Sequence, residues 1–241
     1  MATTITGNTI NVGPNKLVAD SAGNVGVGTA SPTLPLDIVS NASADALKLR
    51  ARSGNDYATM TFSSNDGATK WADIQSNVAK DLRFYTNGSS ETMRIDSAGI
   101  VTKPYQPAFL AQPATTILNI PTGASGNLNF DTERFDTNSD YSSGTFTAPV
   151  TGKYFLSVNF YLLNLDSAVV YYEGLLTTSN KTYYTIVDPD FGQDNVYFCL
   201  VLTVLADMDA GDTANISVHQ SGGNSQTDIS ASATFSGYLV A

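Results

Sequence analysis

The densest group of chemistry-bearing side chains is the run Asp188-Pro189-Asp190-Phe191-Gly192-Gln193-Asp194, which carries three carboxylates. Two kinds of chemistry use such a run. Calcium takes about six to eight oxygens from flexible carboxylates, carbonyls and water, so Asp188, Asp190 and Asp194 form a candidate Ca2+ ligand set. Glycoside hydrolysis needs two carboxyl groups roughly 5–9.5 Å apart across a sugar-binding cleft, and this loop could supply one of them. Asp-Pro-Asp and Gly-Gln-Asp are also ordinary turn residues, so no catalytic residue is assigned and no enzymatic activity is expected. Tyr183 and Tyr184 precede the loop and Phe191 lies within it, and together they could present a flat apolar surface to a sugar ring. Tyr183, Tyr184, Asp188, Asp190, Phe191 and Asp194 are therefore the candidate receptor-binding residues.

Other motifs carry less. Asp207-Met208-Asp209-Ala210-Gly211-Asp212 has the acid density of a calcium loop, but Val218 stands where such a loop needs its twelfth, acidic ligand. It reads as a hairpin turn. The single histidine, His219, has no nucleophile or ligand cluster beside it in sequence, and the single cysteine, Cys199, can form neither an intrachain disulfide nor a zinc site. Gly23-Asn24-Val25-Gly26-Val27-Gly28 is followed by Pro32 and by no helical pattern, so it is a turn and not a phosphate loop.

The elements that must position these residues are strands. Apolar residues nowhere recur at helical spacing for more than about two turns; short runs of Thr, Val, Ile, Tyr and Phe alternate instead with Gly, Asn, Asp and Ser clusters. The chain is read as all-β. Its longest apolar stretch, Tyr197 to Ala206, is far shorter than the ~20 residues of a spanning helix, and no signal peptide is recognised, so membrane insertion is not expected. The net charge of −10 is concentrated in one half. Residues 1–103 carry nine Lys/Arg and nine Asp/Glu, whereas residues 104–241 carry three and thirteen and hold 19 of the 23 Phe and Tyr residues. An acidic half repels phosphate backbones, which excludes nucleic acid as a partner. The shift in composition places a domain boundary at Lys103-Pro104.

Asp-Ser-Ala-Gly-x-Val occurs twice, with Asp20 and Asp96 76 residues apart. Each copy reads as strand, tight turn and strand, the glycine supplying the positive φ that the turn requires. Between them lie thinly apolar alternating stretches such as Asp56 to Gly67 and Asp81 to Gly88, too poor in core to stand alone. The runs FYTNGSSETMRIDSAG and DSAGNVGVGTASPTLPLDI resemble the repeat of bacteriophage tail-fibre and tailspike proteins over residues 16–101. That resemblance implies a homotrimer. Ile100 to Pro104 departs from the usual continuation of the repeat, so the array ends there.

In Thr151 to Asn164 one face carries Tyr154, Leu156, Val158, Phe160 and Leu162, and the other Phe155, Ser157, Asn159, Tyr161 and Leu163. In Val196 to Leu205 both faces are apolar, so this strand must be covered on both sides, the second cover coming from another subunit. Phe155, Tyr161, Tyr197, Leu200, Leu202 and Tyr238 are the expected trimer-interface residues. Phe146, Ala148-Pro149, Gly152, Tyr154-Phe155, Ala210-Gly211-Asp212 and the closing Phe235-Ser236-Gly237-Tyr238-Leu239 resemble the globular head of the complement C1q and tumour-necrosis-factor superfamily. The resemblance implies a ten-stranded jelly roll, assembled as a trimer, over residues 104–241.

The expected organisation is a particle-attachment segment (1–16), a β-rich fibre shaft (17–103) and a jelly-roll knob (104–241). The expected function is a homotrimeric viral adhesin, a tail or surface fibre of a bacteriophage virion. Residues 1–16 would hold a tail, baseplate or capsid protein, and the knob would bind a host surface glycan or protein. The sequence is also compatible with a capsid or baseplate decoration protein without a specific receptor, and with a polysaccharide-degrading spike.

Overall fold

The computed structural model describes residues 17–29, 31–40, 46–51, 53 and 56–241. Residues 1–16, the expected attachment segment, lie outside the described residues. The chain divides into two compact units, Met1–Thr102 and Lys103–Ala241. Among the described residues both are built from strands without helix, as the alternation in the sequence dictates.

Among the described residues the first unit has two sheets. β1 (Leu17–Ala19) pairs antiparallel with β2 (Val25–Val27), which pairs parallel with β3 (Leu36–Ile38). β4 (Ala58–Ser63), β5 (Lys70–Ser76), β6 (Leu82–Thr86), β7 (Ser90–Ile95) and β8 (Val101–Thr102) form an antiparallel meander in chain order. The repeated Asp-Ser-Ala-Gly motif closes the β1–β2 and β7–β8 hairpins with one and the same turn. Asp20 Oδ1 accepts from the backbone N–H of Ala22 and Asn24, both at 2.9 Å. Asp96 Oδ1 accepts from the N–H of Ala98 (2.8 Å) and Ile100 (2.9 Å). Gly23 and Gly99 adopt φ of 88° and 82°, a region that a side chain would strain. These aspartates are turn-closing groups, and the hydrogen bond from the Asn24 N–H holds the Asp20 carboxyl below its ordinary range.

The second unit runs β9 (Ala108–Gln112), β10 (Gly123–Ala124), β11 (Thr132–Asp136), β12 (Tyr141–Ser142), β13 (Thr145–Thr147) and β14 (Gly152–Leu165). It continues through β15 (Tyr171–Thr178), β16 (Thr182–Val187), β17 (Asn195–Met208), β18 (Thr213–Ser221), β19 (Asp228–Ile229) and β20 (Thr234–Leu239). Two antiparallel sheets result, ordered β12-β13-β18-β15-β16 and β11-β9-β20-β14-β17, with β10 added to β18 and β19 to β14. Chain neighbours are split between the sheets, the connectivity of a jelly-roll sandwich. Strand period puts Tyr154, Leu156, Val158, Phe160 and Leu162 of β14 inside, fully buried, each such burial contributing about 1.5–3 kcal/mol. From the facing sheet come Phe146, Tyr172, Leu176, Ile216 and Val218. Phe109 stacks on Phe146 at 4.8 Å and meets Phe235 edge-on at 5.0 Å. Gly174 makes room for this packing: a Cβ there would lie 2.5 Å from the Phe160 ring.

Candidate functional site

β17 settles which of its two apolar faces is inside. It pairs along its length with β14, Leu200 opposite Phe160 and Leu202 opposite Val158. Cross-strand partners point the same way, so Leu200 is buried and Leu202 packs against the sandwich core. Neither is available to a subunit interface, which corrects the expectation for these two residues. The solvent face carries Tyr197 (66% exposed), Val201 (58%) and Leu205 (60%), with Cys199 between. Tyr161 and Tyr197 approach at 6.1 Å on that side, and Phe155 and Tyr238 at 5.4 Å. Phe155 and Tyr238, with Ala108, Leu110 and Phe135, line an apolar groove of 390 Å3. The outer surface of this sheet thus combines exposed aromatic and aliphatic side chains with a polar band of Ser157, Asn159, Thr203, Thr234 and Ser236, and lies open in a single chain.

The acidic loop does not gather its three carboxylates at one point. Asp188 and Asp190 are exposed. Asp194 is held elsewhere: Oδ1 accepts from Ser167 N (2.9 Å) and Ser167 Oγ (2.8 Å), and Oδ2 accepts from Gln226 Nε2 (2.9 Å). The hydrogen bond from the Ser167 N–H holds the Asp194 carboxyl below its ordinary range. No three His, Cys, Asp or Glu side chains converge as a cation site among the described residues. Of the three expected calcium ligands, Asp194 is drawn away from Asp188 and Asp190 by hydrogen bonds that tie the loop to the turn at Ser167 and to Gln226. That turn is itself anchored by buried Asp166, whose Oδ2 accepts from Asn224 N at 2.6 Å and whose backbone N–H donates to Tyr172 Oη at 3.1 Å.

The two tyrosines of β16 part company as strand period requires. Tyr183 packs against the core, with Lys181 Nζ 5.2 Å from its ring centre, and so it is removed from any surface shared with Tyr184. Tyr184 points outward and is 64% exposed. Its neighbours on that face are Ile186, two residues on, and Leu175, its cross-strand partner on β15. In the next row Glu173 Oε2 lies 3.2 Å from His219 Nδ1, and Tyr171 meets the His219 ring edge-on at 5.5 Å. Phe191 is 39% exposed and rests against Phe198 at 5.6 Å. The outer face of the β12-β13-β18-β15-β16 sheet thus presents Tyr184, Ile186 and Leu175 beside a Glu–His pair. Of these only Tyr184 was a candidate from sequence; the alternation in Tyr-Tyr-Thr-Ile-Val was the signal that pairs it with Ile186.

The C1q domain family matches residues 108–240, and the chain belongs to that family. Domains of this kind are usually trimeric and typically non-enzymatic. Among solved structures the chain is similar to the globular domain of the zebrafish complement 1qA protein, at 17% identity over 56% of this chain and 98% of that one, with a TM-score of 0.41. It is also similar to murine APRIL, at 9% identity over 56% and 99%, with a TM-score of 0.42. No curated protein matches the chain. No helix among the described residues is long and apolar enough to cross a membrane.

Proposed function

We propose that this protein is a homotrimeric bacteriophage fibre, an adhesin that attaches the virion to the host cell surface through its C-terminal domain. The observation that carries the proposal is the recurrence of one Asp-closed turn at Asp20 and Asp96, which bracket the segment resembling fibre repeats and lead into a C1q domain. The open face of the β11-β9-β20-β14-β17 sheet supports a trimer, and Phe155, Tyr161, Tyr197 and Tyr238 are proposed to meet neighbouring subunits there, joined by Val201 and Leu205. Receptor contact is proposed on the outer face of the other sheet, at Tyr184 and Ile186, with Asp188, Asp190 and Phe191 in the loop that follows β16. Binding and not catalysis is proposed, in keeping with a domain family that is typically non-enzymatic and with the commitment of Asp194 to Ser167 and Gln226. Weak contacts suffice when three knobs and several fibres act together. Residues 1–16 are proposed to hold the chain on the particle.

The test is immunogold labelling of particles with antibody to this protein, combined with adsorption to host cells in the presence of the soluble full chain. Label on tail or surface fibres, with adsorption blocked by the soluble protein, is expected. Label spread over capsid faces with adsorption unaffected would replace the adhesin with a decoration protein.

A further inference from the structure

The meander β4–β8 has no core of its own. Between residues 56 and 102 the only buried side chains are those of Asp73 and Asp81, so the meander buries no apolar side chain fully. Its register nevertheless sorts the residues by polarity. Met60, Ile74, Phe84 and Met93 form one cross-strand row, Ala58, Ser76, Leu82, Ile95 and Val101 a second, and Phe62, Ala72 and Thr86 a third. These rows share one face. Phe62 is 48% exposed and Met60 41%.

Every charged residue of the five strands is on the opposite face. Strict alternation would not put them there: Lys70 has the parity of Ala72 and Ile74, and Glu91 that of Met93 and Ile95. The two register shifts in the sheet fall at these places. One makes Lys70 the partner of Ser63 while Ala72 partners Phe62, and the other makes Glu91 the partner of Tyr85 while Met93 partners Phe84. A bulge inserts one residue and turns the side chain beyond it to the other face. So re-aimed, Lys70 reaches Asp73 at 2.7 Å, and Glu91 takes Arg94 at 2.8 Å and Arg83 at 3.6 Å, while Asp81 accepts from Arg83 at 2.6 Å. Lys70, Asp73, Arg83, Glu91 and Arg94 thus neutralise one another with Asp81 on one side, and the other side is left without a charge.

We infer that the charge-free face of β4–β8 is a self-association surface, covered by the same face of other copies of this chain. The inference rests on the trimeric assembly proposed above and assigns the shaft its own contact surface, separate from the knob. Two features of the chain favour copies of itself over another partner. The face is self-complementary, being apolar without a charge that would demand an opposite one. β8 ends at Thr102 and the C1q domain begins at residue 108, so a trimer of knobs holds three such sheets within a few residues' reach, at high effective concentration. Five strands at about 4.8 Å spacing and up to about six residues at about 3.3 Å rise give at most roughly 400 Å2 per face, about half of what each partner of a free-standing interface buries, so the shaft contact adds to the knob contact and does not replace it.

The test places a thiol on either face of β5 in the full chain carrying Cys199→Ser. Ile74→Cys lies on the charge-free face, and Gln75→Cys on the charged one beside Tyr85 Oη, which donates to Gln75 at 3.3 Å. A bis-maleimide of about 10 Å reach, the distance between packed sheets, is added, and the products are separated under denaturing conditions. Interchain products from Ile74→Cys at least about fivefold above those from Gln75→Cys are expected when the sheets meet at packing distance. Three outcomes overturn the inference. Light scattering that shows a trimer, with both thiols labelled singly and no linkage, removes the shaft contact and leaves the trimeric proposal standing. An Ile74→Cys thiol that neither links nor labels is covered by its own chain. A monodisperse monomer removes the trimer and the shaft contact together.

Discussion

Substitution of Val201 by aspartate separates assembly from folding. Val201 lies on the solvent face of β17, 58% exposed, next to core-facing Leu200, which is 5% exposed. Full burial of a valine contributes about 1.5–3 kcal/mol, so covering the exposed part of Val201 in a trimer recovers about 1 kcal/mol or somewhat more per chain, and about 3–5 kcal/mol for three. Losing that alone lowers trimer affinity by about two to three orders of magnitude. Three carboxylates enclosed at the same place add several kcal/mol through burial of unpaired charge. Val201→Asp is therefore expected to give a folded monomer at micromolar concentration, because at an exposed site in a single chain the change costs at most about 0.5 kcal/mol. Leu200→Asp puts the same charge into the sandwich core and is expected to give insoluble or unfolded protein. Size-exclusion chromatography with light scattering reads the assembly, and circular dichroism on heating reads the fold. A Val201→Asp protein that stays trimeric with an unchanged melting temperature would refute the assignment of this face to the interface.

Three further outcomes are expected. Tyr184→Ala should reduce adsorption of particles to host cells with no change in melting temperature, whereas Tyr183→Ala should lower the melting temperature through lost core packing; equal adsorption by the Tyr184 variant and wild type would remove the outer face of β16 from the binding site. The Asp194 carboxyl has its folded pKa lowered by Ser167 and Gln226 from an ordinary 3.8, so the stability it lends is present above that value and is lost as pH falls through the lower, folded one. Melting temperatures across this acid range should fall less steeply for Asp194→Asn than for wild type, and parallel curves would show that the loop anchor does not titrate. Gly174→Ala, whose new methyl would meet the Phe160 ring, should cost about 1–3 kcal/mol by overpacking in denaturant unfolding, and Phe160→Leu should restore part of it; a neutral Gly174→Ala would mean that the core yields at this point.

The all-β class, the sandwich and the family were legible from residues alone, because strand period is a local property. Tyr154 to Leu162 alternates so cleanly with its polar-aromatic neighbours that the inward face of β14 needs no partner to identify it. The repeated Asp-Ser-Ala-Gly turn was legible for the same reason: all of its hydrogen bonds close within five residues. Period gives two faces but not which one is inside. In β17 both are apolar, and only pairing with β14 turns Leu200 and Leu202 inward and Tyr197 and Val201 outward. In β16 alternation parts Tyr183 from Tyr184, but the packing of the sandwich decides that Tyr184 is the exposed one. Asp194 looked like a free ligand because its partners Ser167 and Gln226 are 27 and 32 residues away, a separation at which sequence pattern carries no signal. The bulges before Ala72 and Met93 were hidden as well: a one-residue insertion reverses the parity of Lys70 and Glu91, and only the cross-strand register, a property of the assembled sheet, reveals that all the charges share one side.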